Sequence, residues 1–307
     1  MPKVNFEDRV VIITGAGNGL GKSYALELAN RGAKVVVNDL GGSMDGSGSG
    51  NSPADDVVGE IKSKGGEAVA NYDSVATKEG GEAIVSTALD TYGKVDAVIN
   101  NAGILRDKSF VNMTEEEFSI VIDVHLKGTY YVCHPAFKFM KENSYGRIVN
   151  IASPSGLFGN FGQANYGAAK MGIVGLTNIL AIEGAKYNIK ANVIAPNAMT
   201  RMTESIFGEE MGKLFKVEQV SPMVAYLASE VCEPTHEIFS VGAGRFARVG
   251  ISTHVGYYNP DATADDVGSN IEMIRTIENG SFPMNNEDEF AIIQQSVQGA
   301  ADSSNKE

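Results

Sequence analysis

The stretch Val10-Val-Ile-Ile-Thr-Gly-Ala-Gly-Asn-Gly-Leu-Gly21 runs a β-branched apolar strand into a glycine-rich turn, and a helical pattern begins near Leu20. Gly15, Gly19 and Gly21 permit a tight turn and close backbone approach. The helix that follows can then offer its unpaired N–H groups and positive dipole end to a pyrophosphate.

Outward from this turn, from Arg9 to about Val241, short β-branched runs alternate with longer helical stretches, the pattern of a parallel sheet covered by helices. Strands are predicted at Val10 to Ile13, Lys34 to Asn38, Glu67 to Asn71, Ala97 to Asn100, Arg147 to Asn150, Lys190 to Ile194 and Glu237 to Val241. Helices are predicted at Leu20 to Arg31, Ala54 to Lys64, Lys78 to Tyr92, Glu115 to Lys141, Ala164 to Tyr187 and Gln219 to Ser229. The fold class is therefore α/β, a doubly wound, Rossmann-type parallel sheet of seven strands with helices on both faces. No composition break or repeat divides it, so residues 1–244 are read as one domain. Residues 245–307 are read as a C-terminal extension packed on or near that domain. In it, Arg245 to Ser252 offers an edge strand, Ala264 to Asn279 a helix, and the last dozen residues look frayed. Gly41 to Asn51 reads as a flexible surface loop.

Composition narrows the function. The chain has 307 residues, 43% hydrophobic and 21% charged, as in an ordinary globule. A net charge of -13 argues against a nucleic-acid partner, which calls for concentrated Lys and Arg. Much of the excess lies beyond Tyr258, where only Arg275 and Lys306 oppose the acids. Cys133 and Cys232 have neither CxxC nor zinc-type spacing, so no metal or disulfide is expected. Without a signal-type N-terminus or a run approaching the roughly 18 apolar residues of a membrane span, a cytoplasmic protein without membrane insertion is expected.

The second predicted strand ends at Asn38-Asp39, about 20 residues past the glycine turn, where a carboxylate accepts from the adenosine ribose hydroxyls. Asp39 repels a 2′-phosphate, no base directly follows it, and Asn18 rather than a cation occupies the turn; NAD is favoured over NADP, with Lys22 the one contrary sign. Asp73 is placed to meet the adenine edge, and Asn100 to Gly103 to close over the cofactor. Ser153 follows the fifth strand, while Tyr166 and Lys170, four residues apart on the next helix, share one face. A tyrosine is a poor acid–base catalyst at its free pKa of about 10, and a nearby ammonium favours its phenolate. Lys170 supplies that charge, and the Ser153 hydroxyl can orient a substrate oxygen.

In type, order and spacing these motifs resemble the short-chain dehydrogenase/reductases over roughly Phe6 to Gly244. Asn38-Asp-Leu-Gly-Gly, Ala70-Asn-Tyr-Asp-Ser, Asn101-Ala-Gly-Ile-Leu-Arg-Asp-Lys-Ser-Phe110 and Gly156-Leu-Phe-Gly-Asn-Phe-Gly-Gln-Ala-Asn-Tyr166 look like one subgroup. That subgroup is the (3R)-hydroxyacyl-CoA dehydrogenase domains of peroxisomal multifunctional enzyme type 2, also called 17β-hydroxysteroid dehydrogenase type 4, and their free-standing bacterial relatives. The resemblance implies catalytic residues Ser153, Tyr166, Lys170 and His125, the last standing where the wider family usually has an asparagine whose backbone carbonyl helps hold a relay water. It also implies cofactor contacts from Gly15, Asn18, Gly19, Leu20, Gly21, Asp39, Leu40, Asp73, Ser74, Asn101, Ala102, Gly103, Tyr166, Lys170 and Pro196.

Oxidation of a 3-hydroxyacyl-CoA by NAD is the implied reaction, with a 17β-hydroxysteroid or an acyl-carrier-protein ketoreductase reading as alternatives. A non-catalytic NAD-binding regulator would have no reason to retain Ser153, Tyr166 and Lys170. Substrate is expected near Ser153, Phe158 and Met199 to Phe215, with Phe158, Phe161 and Met202 lining an apolar channel. Arg106, Lys108 and Arg201 are candidates for CoA phosphates. The family habit implies a homodimer or homotetramer. The final Asn305-Lys306-Glu307 is not a peroxisomal address of the Ser-Lys-Leu type.

Overall fold

The computed structural model describes residues 3–43, 45–200 and 212–304. Its centre is an eight-stranded sheet. The strands are β1 (Val10–Thr14), β2 (Lys34–Asn38), β3 (Glu67–Asn71), β4 (Ala97–Asn100), β5 (Gly146–Ile151), β6 (Ile189–Asn197), β7 (Ile238–Gly242) and β8 (Arg245–Val249). They lie in the order β3-β2-β1-β4-β5-β6-β7-β8, and β1 to β7 pair in parallel.

Both faces of the sheet are covered, which explains the unbroken apolar runs. Val11, Ile13, Val35, Val37, Ile99 and Val149 point into one core with Tyr24 and Leu28 of α1 (Gly19–Asn30) and Val57 and Ile61 of α2 (Ser52–Ser63). Val10, Ile12, Val36, Val98 and Ile148 point into the other. There they meet Ile84 and Val85 of α3 (Lys78–Tyr92), and Val132 and Met140 of α5 (Gly128–Glu142). Strand alternation thus sends successive residues to opposite layers. The order runs outward in both directions from β1 and β4, the reversal point at which ligands bind in such sheets, outside the carboxyl ends of the strands.

Four features refine the sequence expectation. The eighth strand follows β7 through Ala243 (φ 49°) and Gly244 (φ 75°), the two positive-φ residues that a tight hairpin turn of matching twist requires. The first compact unit consequently runs from Met1 to Arg248, past the expected limit at Gly244, and the second from Val249 to Glu307. The single helix expected over Glu115 to Lys141 forms without a gap, from α4 (Glu115–Ile122) into α5, but with a π-helical turn over Asp123–Lys127 set inside it. Finally, a helix runs over Asn286–Ser304, into the stretch read as frayed. Asn285 caps it by accepting the Asp288 N–H at 2.9 Å, and Glu287, Asp288 and Glu289 suit its N-terminal dipole.

Two further helices bear on the site, the short α6 (Pro154–Phe158) and the 21-residue α7 (Ala164–Gly184). Among the described residues, Ala164–Tyr187 is one helix long and apolar enough to cross a membrane, with mean hydropathy 1.2, a run the sequence reading did not single out. Its buried row Ala169, Ile173, Val174 and Ala181 packs inside the protein, which accounts for the composition.

Candidate active site

The β1 strand ends on Thr14, whose buried hydroxyl accepts the N–H groups of Asn101 and Ala102 at 3.0 and 3.1 Å. Asn101 returns the contact, its Nδ2 donating to the carbonyls of Thr14 and Gly15 at 3.1 and 3.0 Å. The segment after β4 therefore holds the glycine turn in place. A Cβ on Gly15 would lie 2.8 Å from the Ala102 Cα, and the residue has φ 62°, so only glycine fits there. Asn18, the N-cap of α1, makes no side-chain cap, and the first turn carries no acidic residue. The helix thus opens with N–H groups that no side chain caps, suited to an anion.

Asp39 lies beside this turn. Its Oδ2 accepts the Gly17 N–H and its Oδ1 the Gly41 N–H, both at 2.7 Å, leaving one lone pair on each oxygen for a ribose hydroxyl. Gly17 escaped the sequence reading, which used the other three glycines. A Cβ on it would come 2.8 Å from the Asp39 carboxylate, and that proximity is invisible until β2 is paired with β1. The Gly41 to Asn51 loop closes on itself, with the Gly50 N–H donating to the Leu40 carbonyl at 3.0 Å and Asp45 accepting from the backbone and hydroxyl of Ser47. Asp73, Ser74 and Pro196 sit just beyond β3 or near the end of β6, and exposed Leu40 follows Asp39.

Ser153, beyond the end of β5, is the N-cap of α6, and its hydroxyl accepts the Ser155 N–H at 3.2 Å. The same hydroxyl is close enough to the Tyr166 phenol to favour its ionised form. Burial pushes that phenol up to about 12, against the lowering effect of Ser153. Lys170 lies one helical turn on, 3% exposed, with Nζ 5.5 Å from the centre of the tyrosine ring. It donates to the Ile151 carbonyl at 2.6 Å, and burial draws its ammonium down to about 7. Buried Asn165 fixes the start of this helix: its Oδ1 accepts the Tyr166 N–H at 2.7 Å, and its Nδ2 donates to the Arg106 and Glu117 carbonyls at 2.9 Å each. Sequence reading missed Asn165, because an asparagine beside a tyrosine carries no signal of these distant partners.

His125 stands in the π-helical turn, its ring edge-on to Tyr166 with centroids 5.1 Å apart. Its backbone carbonyl accepts the Thr129 hydroxyl at 2.7 Å. Ser153, Tyr166, Lys170 and His125 are thus gathered at the carboxyl edge of the sheet. The aromatic substrate channel is not formed as expected: Phe158 and Phe161 are 71% and 90% exposed. Phe161 instead joins Phe110 beside an open cavity of about 400 Å³ next to α7. Met202 and Arg201 lie outside the described residues. The Nε of Arg106 is buried without a partner among the described residues, and Lys108 pairs by its N–H with the Gly162 carbonyl at 2.9 Å.

A family model described as short chain dehydrogenase matches residues 9–210, the span that contains the glycine turn and all four of these residues. The chain belongs to the short-chain dehydrogenases. As a member of that family it is an oxidoreductase of small molecules whose fold serves a nicotinamide dinucleotide, NAD or NADP. A short-chain type dehydrogenase/reductase of Mycobacterium tuberculosis is 55% identical over 251 residues, covering 82% of this chain and 87% of that protein. Peroxisomal multifunctional enzyme type 2 of Mus musculus is 51% identical over 284 residues, 91% of this chain and 38% of that enzyme. The full-length structure of the Drosophila melanogaster enzyme of the same name overlays with TM-score 0.79 and 35% identity, over 96% of this chain and 50% of that one. This short-chain dehydrogenase therefore spans only part of the multifunctional relatives it matches, between 29% and 63% of their length.

Proposed function

We propose that this short-chain dehydrogenase oxidises a 3-hydroxyacyl-CoA to the 3-oxoacyl-CoA with NAD. The observation that carries the reading is the convergence of Ser153, Tyr166 and Lys170 at the end of β5, beside a turn whose anion-facing helix end adjoins Asp39. The choice of substrate is supported by the relatives named for multifunctional enzyme type 2.

The cradle fits a dinucleotide. Gly15 leaves no room for a side chain, the end of α1 is free to receive a pyrophosphate, and Asp39 faces the ribose position. Asp39 also favours NAD, because its carboxylate repels a 2′-phosphate. Asp73 meets the adenine edge, and Lys170 holds the ribose next to the nicotinamide. When bound, the oxidised nicotinamide accepts the hydride. The Ser153 hydroxyl orients the carbinol oxygen, and the Tyr166 oxygen takes its proton. Lys170 favours the phenolate by its charge, while Arg106 and Lys108 stand after β4 within reach of an anionic thioester carrier.

Exposed Met171, Ile179 and Ile182 on the outer row of α7 support self-association as a dimer or tetramer. Two free, buried thiols support a reducing, cytoplasmic setting. The test is one assay with NAD+ and NADP+ side by side, offering a 3-hydroxyacyl-CoA, a 17β-hydroxysteroid and a 3-hydroxyacyl carrier protein. Fastest turnover of the CoA thioester with NAD+ is expected. A preference for NADP+ would overturn the role given to Asp39, and a preference for the steroid would overturn the substrate.

A further inference from the structure

The strands β2 and β3 end side by side on two asparagines, Asn38 and Asn71, which are register partners and only 2% and 5% exposed. Buried amides of this kind are retained at a cost unless every polar atom finds a partner. Here the Asn71 side chain is fully used. Its Oδ1 accepts from Asn38 Nδ2 at 2.8 Å and from the Asp73 N–H at 3.0 Å. Its Nδ2 donates to Asp73 Oδ2 at 2.7 Å and to Thr87 Oγ1 at 2.9 Å. Asn38 spends its second amide proton on the Asp73 carbonyl at 2.9 Å.

The orientation of the Asn71 amide is over-determined. Thr87 gives its one hydroxyl proton to the Ala83 carbonyl at 2.9 Å, so toward Asn71 it can only accept. A flipped amide would set two donors against the Asp73 N–H and the Asn38 amide. The result is a carboxylate gripped from three sides, through its own backbone N–H, its own carbonyl and one oxygen. The other oxygen, Oδ1, makes no hydrogen bond among the described residues, and the residue is exposed. The same ladder reaches the rest of the cradle. The Asn71 carbonyl accepts the Asp39 N–H at 3.0 Å, and the Asn38 carbonyl accepts the Ala16 N–H of the glycine turn at 2.9 Å.

We infer that Asn71, set by Thr87, is a positioning residue that aims the free oxygen of Asp73 at the 6-amino group of adenine, and so makes the nucleotide site selective for that base. The inference rests on the proposed dinucleotide reading and deepens it. A 6-amino group donates to a carboxylate. A 6-oxo group in the same place can only accept, and meets the anion unfavourably. Selectivity therefore depends on how firmly Asp73 is held, and no group other than Asn71 binds its side chain among the described residues.

The test is calorimetric binding of NAD+ and of nicotinamide hypoxanthine dinucleotide to the full chain, with thermal melts confirming the fold. The wild type is expected to favour NAD+ by about tenfold, the scale of one hydrogen bond to a charged group. Asn71→Asp replaces both donors by an anion facing Asp73 and is expected to abolish the preference, read as the ratio of the two Kd values in the same variant. Should that variant not fold, Thr87→Val, which removes only the anchor, is expected to cut the preference by about threefold. A preference that survives in a folded Asn71→Asp, or is unchanged in Thr87→Val, overturns the inference. So does a wild type that binds both dinucleotides equally, although the dinucleotide reading then stands. Failure of the wild type to bind either one would instead overturn that reading and the inference together.

Discussion

His125 shows how one substitution within the family pattern is absorbed physically. Its Nε2 lies 3.0 Å from the Ile104 nitrogen and 2.8 Å from the Ile104 oxygen, and one ring nitrogen serves only one of them at a time. Nδ1 has no partner among the described residues. The ring needs the floor beneath it bare, for a Cβ on Gly103 would collide with Cε1. Burial, then the charge of Lys170, pushes the imidazole down to about 3, with the Ile104 contact opposing. This value lies below the ordinary 6.5 of an unfolded chain, so as pH falls the unfolded state takes up the proton first. The stability is complete above about pH 6.5 and drains away toward pH 3. At about 1.4 kcal/mol per pH unit, the wild type should lose about 2 kcal/mol more than His125→Asn between pH 6.5 and pH 5. Denaturant titrations of the two proteins at those pH values measure it, and parallel losses would contradict the burial of a neutral ring.

At the scale of elements, the strands were legible because burial on both faces writes itself as continuous Val and Ile runs, as in Val10 to Ile13 and Lys34 to Asn38. The π-helical turn inside the long helix was not legible. Periodicity carries Glu115 through Lys141 as one helix, whereas the π-helical turn at Asp123–Lys127 comes with the tertiary grip of Ile104 on the His125 ring. The networks of Asn38, Asn71 and Asn165 were equally hidden, since asparagines at element ends look like ordinary turn and cap formers. The hairpin after β7 keeps a residue that its turn disfavours: Ala243 is left-handed at φ 49° with its Cβ in place. Ala243→Gly should raise stability by about 1 kcal/mol, read as a higher denaturant midpoint at unchanged slope. A lower midpoint would show that the unfolded-state entropy of glycine outweighs the relief.

Over the whole molecule, the order of the strands does most of the functional work. Because β1 to β7 run parallel, the loops after β1, β2, β3, β4, β5 and β6 all open at one edge, and because the strand order reverses between β1 and β4, residues as distant in sequence as Gly15, Asp73 and Tyr166 become one site. The second unit was the least readable part of the chain. Among the described residues its helices carry exposed Ile271, Met273, Phe290 and Ile293 with only Ile292 buried among the large apolar side chains, so they show no periodic core face of the kind sequence reading depends on. The central claim is that Tyr166 handles the substrate proton at this edge. It is tested most directly by Tyr166→Phe, a change of one oxygen. With a 3-hydroxyacyl-CoA and saturating NAD+, turnover should fall about a thousandfold while the Kd for NAD+ stays within about threefold. Turnover within a few-fold of the wild type would contradict the account.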